Sequence, residues 1–325
     1  MFFKCEDIER KMNEAGKCHT PFLFGVNFEM DEGFFVKNPL QQTDIFFDIN
    51  GVGNSNKPSA GLPAFQFERH PESFGTYKKR FNHVMNGLRR GDSYLLNLTI
   101  KTPIETSLSL KEIFDYSSAM YRFYIPERFV CFSPERFVKL ENGKIFSHPM
   151  KGTIDADLPN AAEVLLADYK ETAEHNTIVD LIRNDLSRVA NNVKVNRFRY
   201  IDKLKTSHGN ILQASSEIEG TLPDNYLQHI GTLFFELLPA GSISGAPKDA
   251  TIRIIREAEQ EPRGFYTGVA GYFDGKNLDS GVLIRYIEQE DGELYFRSGG
   301  GITVNSVCEN EYSEAVQKVY LPFQS

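Results

Sequence analysis

The chain has few cysteines and no long hydrophobic run. Its four cysteines, Cys5, Cys18, Cys131 and Cys308, are scattered without a C-x-x-C pair. This pattern is typical of free thiols, so we expect a reducing compartment, the cytoplasm, and no disulfide framework. A membrane-spanning helix needs about 18 or more consecutive apolar residues, and no stretch approaches that length. Acidic residues near the amino terminus argue against a signal peptide.

The chain also has fewer positively charged residues than negatively charged ones. The 36 lysines and arginines are outnumbered by 44 aspartates and glutamates, which gives a formal net charge of −8. This balance argues against nucleic acid or an anionic membrane as the main partner. An anionic small molecule would therefore need a local pocket that is positively charged or holds a metal ion.

The order of the predicted elements indicates the fold class. Aromatic-rich runs with turns between them predict strands in the first half of the chain and again after residue 190. Apolar residues at helical spacing predict helices over 4–14 and 77–90, and near 224–237, 248–259 and 309–320. Strands in runs, with helices interleaved but not strictly alternating, predict an α+β protein with mixed, largely antiparallel sheets.

Two pairs of glutamates occur at the start of predicted helices. Glu171 and Glu174 form the first pair and Glu311 and Glu314 the second, each with a spacing of three residues. This spacing places both carboxylates of a pair on one helix face. Four carboxylates could hold one hard cation, and Mg²⁺ suits them because it keeps several waters and takes few direct carboxylate ligands. The alternative is that each pair belongs to a solvated helix face.

Lys151 is a candidate nucleophile. It lies between two structure-breaking residues, Pro149 and Gly152, so we expect it on a loop or at a strand end. A neutral lysine amine can attack an electrophilic carbon and form a covalent intermediate. The alternative is a surface lysine that follows a turn.

Three glycine-bearing segments could form an anion site. The segment GSISGAPK, residues 241–248, precedes a predicted helix whose first N–H groups could hold an anion, or it is a simple helix start. The glycines at 299–301 could cradle a carboxylate or form a tight turn or bulge. Tyr266 and Arg285 could project from strands into a cavity. Arg285 falls in one strand predicted over 279–289, where it either faces solvent or pairs with an anion.

In this order, the segments resemble the chorismate-utilising enzymes, a family that includes anthranilate, aminodeoxychorismate, isochorismate and salicylate synthases. The matching segments are HPMKGT, KETAEHNTIVDLIRNDLSRV, LPAGSISGAPKDATIRII, RGFYTGVAGYF, LDSGVLIR and SGGGITVNSVCENEYSEAVQK, with YLLNLT and FSPERF upstream. The resemblance implies a layered α/β/β/α fold with large mixed, mainly antiparallel sheets. It also implies a single catalytic domain over 1–325, in which a shortened part, 1–140, is interwoven with the motif-bearing part, 141–325.

The resemblance implies a role for each candidate residue. Glu174 and Glu314 would bind Mg²⁺ directly, and Glu171 and Glu311 would hold its waters, so that the ion binds the ring carboxylate of chorismate. Tyr266 and Arg285 would bind the enolpyruvyl carboxylate, Arg285 through two charge-assisted hydrogen bonds. The complete set of implied substrate-binding residues is Ser242, Tyr266, Arg285, Gly299, Gly300, Gly301 and Lys318.

Position 151 distinguishes the branches of this family. Anthranilate synthases have a small residue in this place of the P-x-x-G-T segment, whereas aminodeoxychorismate synthases have lysine, and the sequence reads PMKGT. The resemblance therefore implies that Lys151 is the catalytic nucleophile, which attacks ring C2 before ammonia adds at C4. Leu95 departs from both the lysine of isochorismate-forming relatives and the glutamine common in amine-using ones. Thr232 stands where anthranilate synthases have a catalytic histidine.

The expected activity is that of aminodeoxychorismate synthase component I, which makes 4-amino-4-deoxychorismate for p-aminobenzoate and folate. No cysteine lies in a G-x-C-x-G elbow, so we expect a separate glutamine amidotransferase subunit to supply the ammonia. One alternative is anthranilate synthase component I, which serves tryptophan biosynthesis. Another is a non-catalytic scaffold that only binds an amidotransferase.

Overall fold

A computed structural model describes residues 1–55, 58, 61–206 and 209–323. The helices are α1 (Cys5–Lys17), α2 (Phe74–Arg90), α3 (Leu110–Tyr116), α4 (Ala161–Ala167), α5 (Tyr169–Leu186), α6 (Ile230–Leu237), α7 (Gly241–Ser244), α8 (Lys248–Glu259) and α9 (Cys308–Gln317). The helices predicted from apolar periodicity are confirmed. Within the described ranges, no helix is both long and apolar enough to cross a membrane.

The strands form two antiparallel sheets. They are β1 (Phe2–Lys4), β2 (Phe22–Val26), β3 (Glu32–Lys37), β4 (Phe46–Ile49), β5 (Val52–Gly53), β6 (Phe67–Arg69), β7 (Leu96–Thr106), β8 (Tyr121–Ile125), β9 (Phe129–Ser133), β10 (Arg136–Glu141), β11 (Lys144–Ser147), β12 (Met150–Asp155), β13 (Asn191–Thr206), β14 (Gly209–Thr221), β15 (Val269–Phe273), β16 (Leu278–Val282), β17 (Tyr286–Glu290) and β18 (Glu293–Ile302). The first sheet has the order β1-β3-β2-β15-β16-β10-β11-β14-β12, and β13 also pairs with β14. The second has the order β5-β4-β8-β9-β17-β18-β7-β6.

Both sheets combine strands from distant parts of the chain. In the first sheet β2 pairs with β15, and in the second β9 pairs with β17. The part before residue 140 and the part after it therefore share both sheets. This interleaving agrees with the single domain predicted over 1–325, which stays a prediction.

Four clusters of buried apolar side chains define the layers. Aromatic residues of the two sheets, among them Phe34 and Phe123, pack against one another between the sheets. Helices α1, α5 and α6 cover the outer face of the first sheet. Helices α2, α8, α9 and α3 cover the outer face of the second. The layers follow the order helix, sheet, sheet, helix, which confirms the predicted α/β/β/α architecture.

One strand prediction is wrong in a way that matters for the site. The segment 279–289 is not a single strand: β16 ends at Val282 in the first sheet, and β17 begins at Tyr286 in the second. Between them Arg285 has a φ of +55°, in the left-handed region that non-glycine residues seldom adopt. The chain crosses from one sheet to the other here, and Arg285 lies at the crossing.

Candidate active site

Lys151 lies at the edge of the first sheet. It is the second residue of β12 and pairs with Ala214 of β14, so the expected strand end is confirmed. The pairing changes register between Lys151 and Thr153, around Gly152 with a φ of +76°. Glycine adopts this left-handed conformation readily, and a bulge of this kind redirects the neighbouring side chains.

The first turn of α5 brings two glutamates to this bulge. The Asp168 side chain accepts a hydrogen bond of 2.9 Å from the Glu171 amide and thereby fixes the helix start. Lys151 Nζ lies 3.7 Å from Glu174 Oε2. Glu171 Oε2 lies 3.1 Å from the position that a Cβ on Gly152 would take. The spacing of three residues thus directs both carboxylates toward β12.

The second glutamate pair converges on Gly300. A Cβ at this position would lie 3.5 Å from Glu311 Oε2, 3.8 Å from Glu314 Oε1 and 3.9 Å from Lys318 Nζ. Lys318 Nζ lies 2.6 Å from Glu314 Oε1 and donates a hydrogen bond to the Gly299 carbonyl. Burial lowers the pKa of Lys318, and the Glu314 carboxylate opposes this change. The absence of a side chain at 300 leaves the space around these three charged groups open.

Gly301, the next glycine of β18, lies close to Lys151. A Cβ on Gly301 would lie 3.5 Å from Lys151 Nζ and 3.2 Å from Leu95 Cδ1. The charge of Lys151 also contributes to the lowered pKa of Lys318, so the Lys151–Glu174 pair and the Glu314–Lys318 pair lie near each other and belong to one site. Leu95, the departure noted in the sequence, is buried and covers the space beside the lysine amine.

The glycine run also has a backbone edge available to a ligand. The register of β17 with β18 ends at the pair of Tyr286 and Arg297. The register of β7 with β18 continues to Ile302. Along 299–301, one edge of β18 therefore has no strand partner within the described ranges. Backbone N–H groups on such an edge can donate to an anion, as predicted for these glycines.

Arg285 offers a buried donor near the same site. Its Nε is buried without a hydrogen-bond partner in the described part of the chain, and its guanidinium lies 5.9 Å from the centre of the Tyr320 ring. An unpaired buried donor is costly, so this group suits an anionic ligand. Tyr266 lies in the core between the sheets, with its ring 5.9 Å from that of Tyr286, and burial raises its pKa.

The carboxylate set fits a hard cation in its chemistry. The predicted ligands, Glu171, Glu174, Glu311 and Glu314, supply only oxygen donors, which Mg²⁺ prefers. Two of them contact the ammonium groups of Lys151 and Lys318 in this structure. Among the described residues, no three His, Cys, Asp or Glu side chains form a complete metal site as they stand. The ligand set therefore remains a prediction.

Glu135 is a site residue that the sequence reasoning missed. It follows β9, and its Oε1 accepts a hydrogen bond of 2.8 Å from Ser242 Oγ, which α7 carries. Burial raises its pKa, although the Ser242 hydrogen bond and the charges of Lys151, Arg285 and Lys318 oppose the rise. Those charges show that Glu135 faces the cation-rich part of the site. The only sequence signal was its place in the FSPERF segment, because a lone glutamate in a turn has no informative spacing.

His175 was also missed. It is completely buried on α5, next to Glu174, and its Nε2 lies 2.6 Å from Ser216 Oγ. Burial and the nearby Arg199 lower its pKa to about 4, so the ring is neutral at pH 7. The Ser216 amide donates to the carbonyl of Pro149, just before β12. His175 therefore ties α5 to the strands around Lys151, a long-range role that no local pattern indicates.

Thr232 does not face this site. Its side chain donates to Glu9 Oε1 and accepts from Asn13 Nδ2, both on α1, an element that carries none of the site residues. The missing histidine at this position therefore does not help to choose between the activities considered for this chain.

The site places lysines and an arginine near carboxylates, and it lies on an α/β/β/α fold. Together the site and the fold define the class of the protein. The sequence profile described as chorismate binding enzyme matches residues 37–323. The chain therefore belongs to the chorismate-binding enzyme family.

Proteins with different printed names are similar to this chain. A Haemophilus influenzae protein named "Uncharacterized PabA-like protein" is 50% identical, over 96% of this chain and 95% of its own length. Aminodeoxychorismate synthase component 1 of Salmonella typhimurium is 35% identical over 75% of this chain and 56% of its own length. Anthranilate synthase component 1 of Archaeoglobus fulgidus is 34% identical over 93% of this chain and 75% of its own length.

A solved structure supports the fold. The menaquinone-specific isochorismate synthase of Escherichia coli superimposes with a TM-score of 0.72 over 98% of this chain and 82% of its own, at 17% identity. At this identity the likeness concerns the architecture, and it leaves the reaction of this chain open.

Proposed function

We propose that the chain is aminodeoxychorismate synthase component I. It would convert chorismate and ammonia to 4-amino-4-deoxychorismate and water, a step toward p-aminobenzoate and folate. The observation that carries the proposal is the position of Lys151, whose amine lies 3.7 Å from Glu174 and beside Gly301, among the other charged groups of the site. A lysine in such a position suits covalent catalysis, and a small residue there would not.

Two groups of residues would bind the two carboxylates of the substrate. Glu174 and Glu314 would hold Mg²⁺ directly, and Glu171 and Glu311 would hold its waters. The ion would neutralise the ring carboxylate of chorismate when bound. The second carboxylate would be bound by Arg285, whose buried Nε lacks a hydrogen-bond partner in the described chain, together with Tyr266, Lys318 and the N–H groups of 299–301.

The reaction would proceed in two displacements. The amine of Lys151 attacks C2, the ring double bond shifts, and the C4–O bond breaks. Glu135, whose pKa burial raises, gives its proton to the departing hydroxyl, which leaves as water. Ammonia then attacks C4, the double bond shifts back, and the C2–N bond to Lys151 breaks. A proton lost by the incoming nitrogen restores Glu135, so the sum is chorismate and ammonia to product and water.

A glutamine amidotransferase subunit would be the source of ammonia. The related synthases carry the printed name "component 1", which indicates a second component. This chain would then require either that partner with glutamine, or ammonium salts alone.

The test uses purified chain with chorismate, Mg²⁺ and ammonium chloride, and identifies the product by mass. The proposal expects 4-amino-4-deoxychorismate, which retains the enolpyruvyl group. Lys151→Ala should remove most of this product because the covalent step is lost. Lys144→Ala is the matched control, since Lys144 lies on the neighbouring β11, where it pairs with Glu219. A Lys151→Ala protein with the wild-type rate would show that ammonia attacks without covalent help.

Anthranilate synthase component I is the second candidate. The anthranilate synthase of Archaeoglobus fulgidus matches 93% of this chain, which favours it. The same assay separates the two, because anthranilate has lost pyruvate and is much lighter than the proposed product. Anthranilate as the main product would replace the proposal with this activity.

A further inference from the structure

Glu259 and Arg263 form a buried ion pair beside β7. Glu259 is the last residue of α8, and Arg263 follows it four residues later. Arg263 Nη2 lies 2.7 Å from Glu259 Oε1, and Arg263 Nε donates a hydrogen bond of 2.8 Å to Glu259 Oε2. The two side chains are only 1% and 2% exposed. Because both charges have lost their hydration, the pair contributes little to stability compared with apolar side chains of similar size.

Part of β7 has a strand neighbour on one side only. On that side β18 pairs with it, so that Asn97 lies opposite Gly301 and Thr99 lies opposite Gly299. On the other side, β6 pairs only with 104–106 within the described ranges. The backbone groups of Asn97 and Thr99 that face away from β18 therefore need other partners, because buried backbone groups without partners are costly.

The ion pair supplies these partners. Glu259 Oε1 accepts hydrogen bonds of 2.9 Å from both the amide and the hydroxyl of Thr99. Arg263 Nη2 donates a hydrogen bond of 2.7 Å to the Asn97 carbonyl. Two side chains thus take the place of a neighbouring strand, directly across β7 from the glycine run at 299–301.

Arg263 also holds the loop that carries Tyr266. Its Nη1 donates to Thr267 Oγ1 over 3.4 Å, and the Thr267 hydroxyl donates to the Tyr266 carbonyl. The Thr267 amide donates to the carbonyl of Leu283, two residues before Arg285. Burial raises the pKa of Tyr266, and the charges of Arg263 and Arg285 oppose the rise, so both guanidinium groups lie near its ring. Through Arg263, this loop and the crossing at Arg285 are connected to β7.

We propose that Arg263 and Glu259 are positioning residues, which hold 299–301, Tyr266 and Arg285 in the geometry that binds the enolpyruvyl carboxylate of the substrate. This inference rests on the proposed function, which assigns that carboxylate to these groups. The pair would act through the backbone of β7 and of the loop, so neither of its side chains would touch the ligand. The carboxylate is several bonds away from the ring carbons that react. Poor positioning should therefore weaken substrate binding more than it slows the chemical steps.

The experiment compares two ligands that differ only in the group under test. One is chorismate, and the other is the dihydroxycyclohexadiene carboxylate in which a hydroxyl replaces the enolpyruvyl ether. Calorimetric titration of the full chain with each ligand, with Mg²⁺ and without ammonium, gives the ratio of their dissociation constants. For the wild type we expect a preference for chorismate. A general loosening of the site weakens both ligands, whereas misplaced carboxylate-binding groups weaken chorismate alone and reduce this preference.

Arg263→Lys is the first test variant. It keeps the positive charge but loses the planar fork, so it cannot serve Glu259, Asn97 and Thr267 together. We expect the preference for chorismate to fall about tenfold, the effect of losing one charge-assisted hydrogen bond. In the ammonium assay, KM for chorismate should rise while kcat changes little, because the lost interaction is equal in the ground state and the transition state.

A double variant, Glu259→Gln with Arg263→Met, serves if Arg263→Lys fails to fold. It removes both charges together, so no unpaired charge remains buried. The glutamine can still accept from Thr99, whereas the hydrogen bonds from Arg263 to Asn97 and Thr267 are lost. The preference for chorismate should fall here as well.

Arg122→Lys is the matched control. Arg122 is also buried, pairs with Asp48, and donates to the carbonyls of Phe114 and Ser117. The elements around it, β4, β8 and α3, carry none of the site residues. This variant likewise loses a buried fork of hydrogen bonds, but it should keep the wild-type preference for chorismate.

Three results would overturn the positioning role. The first is a wild type that binds both ligands equally, and the second is folded Arg263→Lys and double variants that keep the wild-type preference. The third is an Arg122→Lys protein whose preference falls as far, since the effect would then be a general loosening. The proposed function is tested apart from this role, because the mass of the product made by the wild type with ammonium reports the reaction. A different product counts against the function, whereas the ratio of dissociation constants still reports on the ion pair.

Discussion

In the proposed reaction, Lys151 and Glu135 need opposite protonation states within one site. The lysine would have to lose its proton to attack carbon, and the glutamate would have to hold one until the hydroxyl leaves. Burial raises the pKa of Glu135 even though three cations and the Ser242 hydroxyl act against it. At the scale of single residues, burial thus favours the protonated form of Glu135 that the proposed reaction needs, and the neighbouring cations oppose it.

Glu135→Gln should lower turnover with ammonium by about 10²–10⁴-fold, the usual contribution of a general acid. The amide keeps the size of the side chain but cannot give a proton. In the wild type, turnover should fall as pH rises through the raised pKa of Glu135. The variant should not show this decrease. Rates of product formation across the pH range measure both effects.

The same substitution should change stability in a definite direction. The folded-state pKa of Glu135 lies above its ordinary value of 4.5. Its contribution to stability is therefore fully present below that ordinary value and is lost as pH rises through the folded-state pKa. Glu135→Gln should consequently gain stability relative to the wild type as pH rises. Equal melting temperatures at all pH values would contradict the burial of an ionisable group here.

The glutamate pairs give a second prediction at this scale. Glu174→Ala and Glu314→Ala should abolish Mg²⁺-dependent turnover, whereas Glu171→Ala and Glu311→Ala should weaken it and raise the Mg²⁺ concentration required. The reason is that the first two would bind the ion directly and the others through water. Turnover measured against Mg²⁺ concentration gives the comparison.

Glu309→Ala is the matched control for these variants. Glu309 lies on the same helix, α9, and its exposed carboxylate is 3.9 Å from Lys78. It should behave as the wild type. The metal role is wrong if Glu314→Ala keeps full activity in the presence of EDTA.

At the scale of elements, a close contact joins α7 to the start of β7. Gly245 follows α7 with a φ of +92°, and a Cβ there would lie 1.8 Å from the Leu95 carbonyl oxygen. Leu95 also forms an isolated bridge with Ala246. Backbone meets backbone at this point, so the position of Leu95 beside Lys151 depends on a glycine in the GSISGAPK segment.

Gly245→Ala should destabilise the protein by more than the roughly 1–3 kcal/mol of a strained backbone conformation, because backbone atoms must also move apart. Gly91→Ala is the control: its φ is +81°, and a Cβ there has no neighbour within 4 Å. Gly91→Ala should lower the free energy of unfolding only by the cost of the strained backbone conformation. Urea unfolding of both variants measures the difference, and equal losses would show that the contact with Leu95 is unimportant.

At the scale of the whole molecule, the site lies where the two sheets and the outer helices meet. Lys151 comes from the first sheet, 299–301 from the second, and the glutamate pairs from helices on opposite outer faces. A ligand that bridges these elements binds only the folded chain. Its binding must therefore raise the stability of the whole.

Mg²⁺ together with chorismate should raise the melting temperature more than either alone, since the ion would bind the substrate carboxylate. At a ligand concentration about 100-fold above Kd, the stabilisation is about 2.7 kcal/mol. Thermal unfolding with each ligand singly and with both provides the measurement. Glu174→Ala should lose the joint effect, and a joint effect that persists in EDTA would exclude the ion as its cause.

Much of the fold could be predicted because local sequence patterns specify most of its helices and strands. The apolar spacing predicted α2, α8 and α9, and apolar and aromatic-rich runs between turns predicted strands such as β2 and β18. The i, i+3 spacing already placed Glu171 with Glu174 on one helix face. The single strand predicted over 279–289 was wrong because each half satisfies strand patterning, and the crossing at Arg285 depends on which sheet each half joins.

By itself, the sequence determined most of the elements, the family resemblance and most of the candidate residues, since periodicity, spacing and ordered motifs are properties of the chain. Only the tertiary structure brought Lys151 to 3.7 Å from Glu174 and beside Gly301, which is 150 residues further along. It alone buried Glu135 enough to raise its pKa and tied His175 to Ser216. The physical reason is that burial and strand pairing between distant segments depend on how the elements pack, which no local pattern encodes.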